Sequence, residues 1–144
     1  MLRRMGTNML PEKLDLYFDG SIKGGNPGGT ASYAFRLLDE NGQEVGKGNG
    51  IALKGEGATN NIAEWAGVVV GLRYLKDAGW NGQLTIYGDS ELVINQLLKF
   101  YQCKKDTLVP YYKEAQQILE NMNWDAKWIG REKNSFCDQF SREV

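Results

Sequence analysis

A chain of 144 residues, 42% hydrophobic and 24% charged, has the make-up of one ordinary globular domain with its own core. It contains no histidine, which excludes Ser-His-Asp and Cys-His hydrolases and histidine-bound zinc enzymes. A net charge of −1 excludes a global electrostatic pull toward nucleic acid, so any such binding needs a local basic surface.

Residues 1–12 read as an N-terminal leader without the apolar stretch of a secretion signal, and residues 13–144 as a single domain. From Lys13, Leu14, Leu16 and Phe18 alternate with Asp15, Tyr17 and Asp19, the pattern of a strand that ends on an acid and a glycine. Residues 22–29 (IKGGNPGG) are a turn signal. Residues 30–53 read as a hairpin turning at Asn41-Gly42, so three successive strands form an antiparallel meander. Then come a helix over residues 60–78, a strand over 83–88, a helix over 90–101, and a helix over 108–122 with Pro110 in its first turn. A strand over 124–128 and a short helix from about Ser135 end the chain. Later strands separated by helices point to parallel pairing, hence an α/β fold with a mixed sheet flanked by helices. Cys103 and Cys137 form no spaced pair for zinc or a disulfide framework. No apolar run is long enough to span a membrane, so the cytoplasm and no membrane partner are expected.

Without histidine, hydrolytic chemistry must rest on carboxylates. Asp19 closes the first strand, where an aspartate before glycine also serves as an ordinary turn residue. Glu64 shares a helical face with Val68, Gly71 and Leu75, while Asn61 three residues earlier equally fits a capping box. Asp89 follows the fourth strand, where an aspartate also caps a helix. Asp138 lies in the first turns of the last helix, where the helix dipole alone favours a carboxylate. Considered together, these positions can meet at the carboxyl ends of neighbouring strands, where α/β sheets form their sites. Such a cluster repels itself unless cations neutralise it, and oxygen-only ligands suit Mg2+ or Mn2+. Two such ions roughly 4 Å apart serve phosphoryl transfer.

The segments FDGS (18–21), GNPGG (25–29), TNNIAEW (59–65), YGDS (87–90) and NSFCDQFS (134–141), in this order and spacing, resemble the type 1 ribonuclease H family, from about Lys13 to the C-terminus. The resemblance implies a five-stranded sheet with strands 1–3 antiparallel and strands 4 and 5 parallel to the first. It implies endonucleolytic hydrolysis of the RNA strand of RNA–DNA hybrids using two Mg2+ ions, with Mn2+ as a substitute, leaving 3′-hydroxyl and 5′-phosphate ends; a monomer is expected. The acidic quartet is then Asp19, Glu64, Asp89 and Asp138. Asn26, Asn60 and Asn61 match positions that face the minor groove and the ribose 2′-hydroxyl. Thr59 matches a phosphate contact, and Ser90 and Gln96 match further substrate-side positions. Read without the resemblance, Thr59, Asn60 and Asn61 are simple helix-capping residues. A non-catalytic nucleic-acid-binding module on the same fold is the alternative.

Two departures stand out. Many members carry a histidine before the fourth acid; here the segment WIGREKNSFCD has none, and Arg131 occupies that region. Many also insert a basic helical handle where this chain has only QCKKDT, leaving Lys99, Lys104, Lys105 and Lys113 as a modest basic patch and Tyr101 as an aromatic contact. Trp65, Trp124 and Trp128 are read as core residues.

Overall fold

Alternation along the first strand sets the first layer of the molecule. Leu14, Leu16 and Phe18 are buried on one face, while Asp15 and Tyr17 on the other are only half-buried. A computed structural model describes residues 10–144. Its five strands are β1 (Lys13–Lys23), β2 (Thr30–Leu38), β3 (Glu44–Lys54), β4 (Gln83–Gly88) and β5 (Asn123–Trp128). Its helices are α1 (Asn60–Asp77), α2 (Glu91–Leu97), α3 (Val109–Leu119) and α4 (Ser135–Arg142), with a 3₁₀ turn at Arg131–Lys133.

The strand order is β3-β2-β1-β4-β5. β1, β2 and β3 pair antiparallel; β4 runs parallel to β1, and β5 parallel to β4. Strand pairing, hairpin and element order match the sequence reading. The β2–β3 turn closes on Gly42 at φ +79, with the Asp39 carboxylate accepting from the backbone N–H groups of Asn41 and Gln43. No helix among the described residues is long and apolar enough to cross a membrane.

One face of the sheet is covered by α1, whose residues Ile62 to Val69 are all buried, together with α2 and α3. Trp65 is fully buried there, with its ring edge-on to Tyr112 of α3. The other face carries α4, held by stacking of the Arg36 guanidinium 3.8 Å from the centre of the Phe136 ring.

Four details differ from the sequence reading. β1 does not end at Asp19 but runs on to Lys23, because its antiparallel ladder with β2 continues to the Lys23↔Thr30 pair. The parallel ladder with β4 stops at Tyr17↔Tyr87, so Asp19 lies just past the end of β4 although it is inside β1. The helix expected over 90–101 ends at Leu97: Lys99 adopts φ +68, and the N–H groups of Phe100 and Tyr101 fold back onto the Asn95 carbonyl. α3 stops at Leu119, short of 122, because β5 begins at Asn123. Residues 1–9 of the leader lie outside the described residues. Residues 10–12 are docked: Trp80 Nε1 donates to the Pro11 carbonyl at 2.6 Å, and the Gln83 N–H to that of Glu12 at 2.7 Å.

Candidate active site

The Asp19-Gly20 pair is not a turn. Gly20 lies within β1, and a Cβ there would strike the backbone of Ala63 and Glu64. The missing side chain lets the N-terminal part of α1 settle onto β1 beside Asp19. Glu64 is thereby aimed at the sheet edge where β4 delivers Asp89. Carboxylate oxygens of Asp19, Glu64 and Asp89 all lie within 4.8 Å of one another.

The helices are capped by other residues, which frees these acids from the capping roles. Thr59 Oγ1 accepts the Ile62 N–H at 3.2 Å and starts α1, so Glu64 lies beyond the capping-box position. Ser90 Oγ accepts the Val93 N–H at 3.2 Å and starts α2, so Asp89 is not its cap.

Burial gives the cluster unusual protonation behaviour. Asp19 is 4% and Glu64 5% exposed. Burial, reinforced by the neighbouring Asp89 and Asp138, pushes the Asp19 carboxyl up to about 7 from its ordinary 3.8. Burial and the charge of Asp19 raise Glu64 well above its usual range, and its Oε1 is buried with no hydrogen-bond partner among the described residues. Burial also raises Asp89, against the opposing pull of Asn134 and Arg131. A buried carboxylate oxygen without a donor, in a set of hard oxygen ligands that repel one another, fits a divalent cation.

Asp138 lines the same cavity of about 330 Å³ as the three acids, together with Arg131, Asn60 and Lys23. It stands outside the tight triad and is paired with Arg142 of its own helix at 2.9 and 3.2 Å. Arg131 is exposed on the 3₁₀ turn, at the rim beside Asp89.

A second cavity, of about 380 Å³, is lined by Asn26, Thr59, Asn60, Asn61 and Lys105. Asn26 Oδ1 accepts the Asn60 N–H at 3.3 Å and ties the 24–29 loop to the start of α1. Gln96 is not brought to either cavity. It is 4% exposed, its Oε1 accepts Trp65 Nε1 at 2.8 Å, and its Nε2 donates to the Gln102 carbonyl. Both ends of its amide are used inside the core, so the expected substrate-side position is corrected.

Trp65 is core, and Trp124 is half-buried against the core cluster. Trp128 is not: it is 58% exposed. It shares the helix-covered face with Trp124 and Ala126 but sits on the last rung, Gly88↔Trp128, where the sheet ends. Its indole donates to the Asp89 carbonyl at 3.1 Å. Lys99, Lys104, Lys105 and Lys113 are exposed, as is Tyr101, and Phe100 beside it is 76% exposed. Asn134, 2% exposed, also belongs to this neighbourhood. Its only signal in the sequence is an asparagine four residues ahead of Asp138 at a helix start.

The reverse transcriptase-like family model matches residues 17–144. Among curated relatives, the bifunctional protein Rv2228c of Mycobacterium tuberculosis is 27% identical over 143 residues, covering 92% of this chain. The chain spans only 35% of that relative's length. The solved N-terminal RNase H domain of Rv2228c superposes with a TM-score of 0.82 at 23% identity, covering 91% of both chains. RNase H1 from the archaeon Halobacterium salinarum superposes at 0.80 with 27% identity, covering 91% of this chain and 96% of its own. LC11-RNase H1, crystallised with an RNA/DNA hybrid, superposes at 0.81 with 24% identity, covering 91% and 95%.

Proposed function

The chain belongs to the reverse transcriptase-like family and has the ribonuclease H fold, and from that premise we propose that it is a ribonuclease H, a metal-dependent endonuclease cutting the RNA strand of RNA–DNA hybrids. One observation carries the reading: three carboxylates, two of them about 95% buried, converge within 4.8 Å in a protein without histidine. Such a cluster costs stability unless a cation occupies it, and its position beside an open cavity suits a phosphodiester.

Asp19, Glu64 and Asp89 would hold Mg2+, or Mn2+ in its place, with Asp138 joining from the rim once released from Arg142. Divalent cations bound there supply Lewis acidity at the phosphate and offset the charge on the leaving oxygen; two of them suit an in-line displacement that leaves 3′-hydroxyl and 5′-phosphate ends. The rest falls to the chain's own groups. Arg131 attracts the scissile phosphate but stays charged near neutral pH, so it moves no proton. Protonation of the leaving 3′-oxygen then falls to solvent. Asn26, Asn60 and Asn61 present amides to the 2′-hydroxyl that distinguishes RNA from DNA. The hydroxyls of Thr59 and Ser90 accept from the helix N–H groups with a lone pair and keep their proton to donate to phosphate. Capping and substrate contact are therefore compatible at both residues.

The test is cleavage of a hybrid labelled on the RNA strand, with Mg2+, against duplex DNA and single-stranded RNA controls. Cleavage of the hybrid alone, with 5′-phosphate products, is expected and is lost in Asp89→Asn. A protein that binds hybrid but leaves it intact with Mg2+ and Mn2+ is instead a binding module, and cleavage of duplex DNA identifies a different nuclease.

A further inference from the structure

Asn134 starts α4 yet does not cap it: its side chain makes no bond to the first turn of its own helix. An asparagine at a helix start usually spends its amide there. This one is turned into the protein and is 2% exposed. Nδ2 donates at 2.9 Å to the carbonyl of Phe18, the residue before Asp19, at the point where the parallel ladder between β1 and β4 has ended. The same amide lies beside the Asp89 carboxyl and works against the burial that raises it. Its backbone carbonyl accepts the Asp138 N–H at 3.1 Å, and its own N–H closes the 3₁₀ turn on the Arg131 carbonyl at 3.0 Å. Oδ1 is buried without a partner among the described residues. A half-satisfied amide in a buried position is costly, and an apolar residue of similar size would avoid that cost. The Nδ2 donor is placed where β1 and the end of β4 carry their acids.

From this arrangement we infer that Asn134 is a positioning residue that locks β1, the β4–α2 junction and the start of α4 into one register, so that Asp19, Asp89, Asp138 and Arg131 face a common cation site. Asn134 bonds the backbone beside Asp19 and the backbone of both Asp138 and Arg131, and its amide lies beside the Asp89 carboxyl. The inference rests on the ribonuclease H reading for what the site does, but not for the cation binding itself.

Mn2+ binding to the substrate-free protein, measured by titration calorimetry, tests it directly. Asn134→Ala weakens Mn2+ by about tenfold or more, the scale typical of residues that orient metal ligands. In the cleavage assay kcat falls by a similar factor while KM for the hybrid changes little. Asn134→Asp keeps the shape and loses the amide donors; it weakens Mn2+ as well, whereas a site governed by charge alone gains affinity from an added acid. Should the alanine variant fail to fold by circular dichroism, the near-isosteric aspartate variant carries the test. A folded Asn134→Ala with Mn2+ affinity and kcat within about twofold of wild type overturns the inference, and so does tighter Mn2+ binding by Asn134→Asp. Wild-type protein that binds Mn2+ but leaves the RNA strand intact overturns the proposed function and leaves the role of Asn134 standing on the calorimetry.

Discussion

At neutral pH and without divalent cations, the Asp19 carboxyl stands near half-protonation, because burial and its acidic neighbours lift it to about 7. Between its ordinary 3.8 and about 7 the folded chain binds a proton that the unfolded chain has released. Stability therefore falls as pH rises through that window, and the full deficit is present above it. Asn has no proton to lose. Asp19→Asn is thus expected to abolish RNA cleavage and at the same time to stabilise the cation-free protein at pH 8, by on the order of 4 kcal/mol. Urea unfolding in EDTA at pH 4 and pH 8 checks this: the variant loses the pH dependence contributed by Asp19. Saturating Mg2+ narrows the gap between variant and wild type, because the cation favours the charged carboxylate. Glu64, raised in the same direction, adds to the effect.

Among the elements, the contact between α1 and β1 decides whether the site exists. The space where a Gly20 Cβ would lie is filled by the backbone at Ala63 and Glu64, so neither partner can yield by a rotamer change. Gly20→Ala is expected to push α1 off β1, at a cost of about 2–3 kcal/mol, and to abolish Mn2+ binding in the protein that remains folded. Gly42→Ala is the control. At φ +79 with nothing near its Cβ, it costs about 1 kcal/mol through backbone strain and leaves Mn2+ binding unchanged. Denaturant midpoints and calorimetry on the two variants separate a loss of site geometry from a loss of stability. The importance of Gly20 is invisible along the chain, where Asp-Gly reads as a turn. The reason is a helix more than forty residues away.

For the whole molecule, 17 basic and 18 acidic residues leave no net attraction to a polyanion. The exposed lysines between α2 and α3 supply a local basic surface, and Lys105 borders the cavity lined by Asn26, Asn60 and Asn61. Hybrid affinity is expected to fall with salt along a shallow slope. The double variant Lys104→Ala/Lys105→Ala flattens that slope by about 1–2 in log K against log salt, while Mn2+ affinity is unchanged. Fluorescence anisotropy with a non-cleavable hybrid across a salt series measures it. An unaltered slope would remove these lysines from the phosphate path.

The sequence by itself determined the order of the elements, the antiparallel meander followed by parallel strands, and the residue types in the candidate site. Alternation, turn residues and helical spacing are local properties, and a chain without histidine leaves carboxylates as the available chemistry. Tertiary structure decided where those residues point. Gln96 and Trp128 changed places relative to expectation, one buried by an indole partner on another helix and the other exposed because the sheet ends beneath it. Asp19 reaches the others because the ladder to β4 stops at Tyr17, and Asn134 matters because it turns away from the helix it begins. Register, burial and the partners of a buried amide depend on segments far apart in the chain, and no local pattern records them.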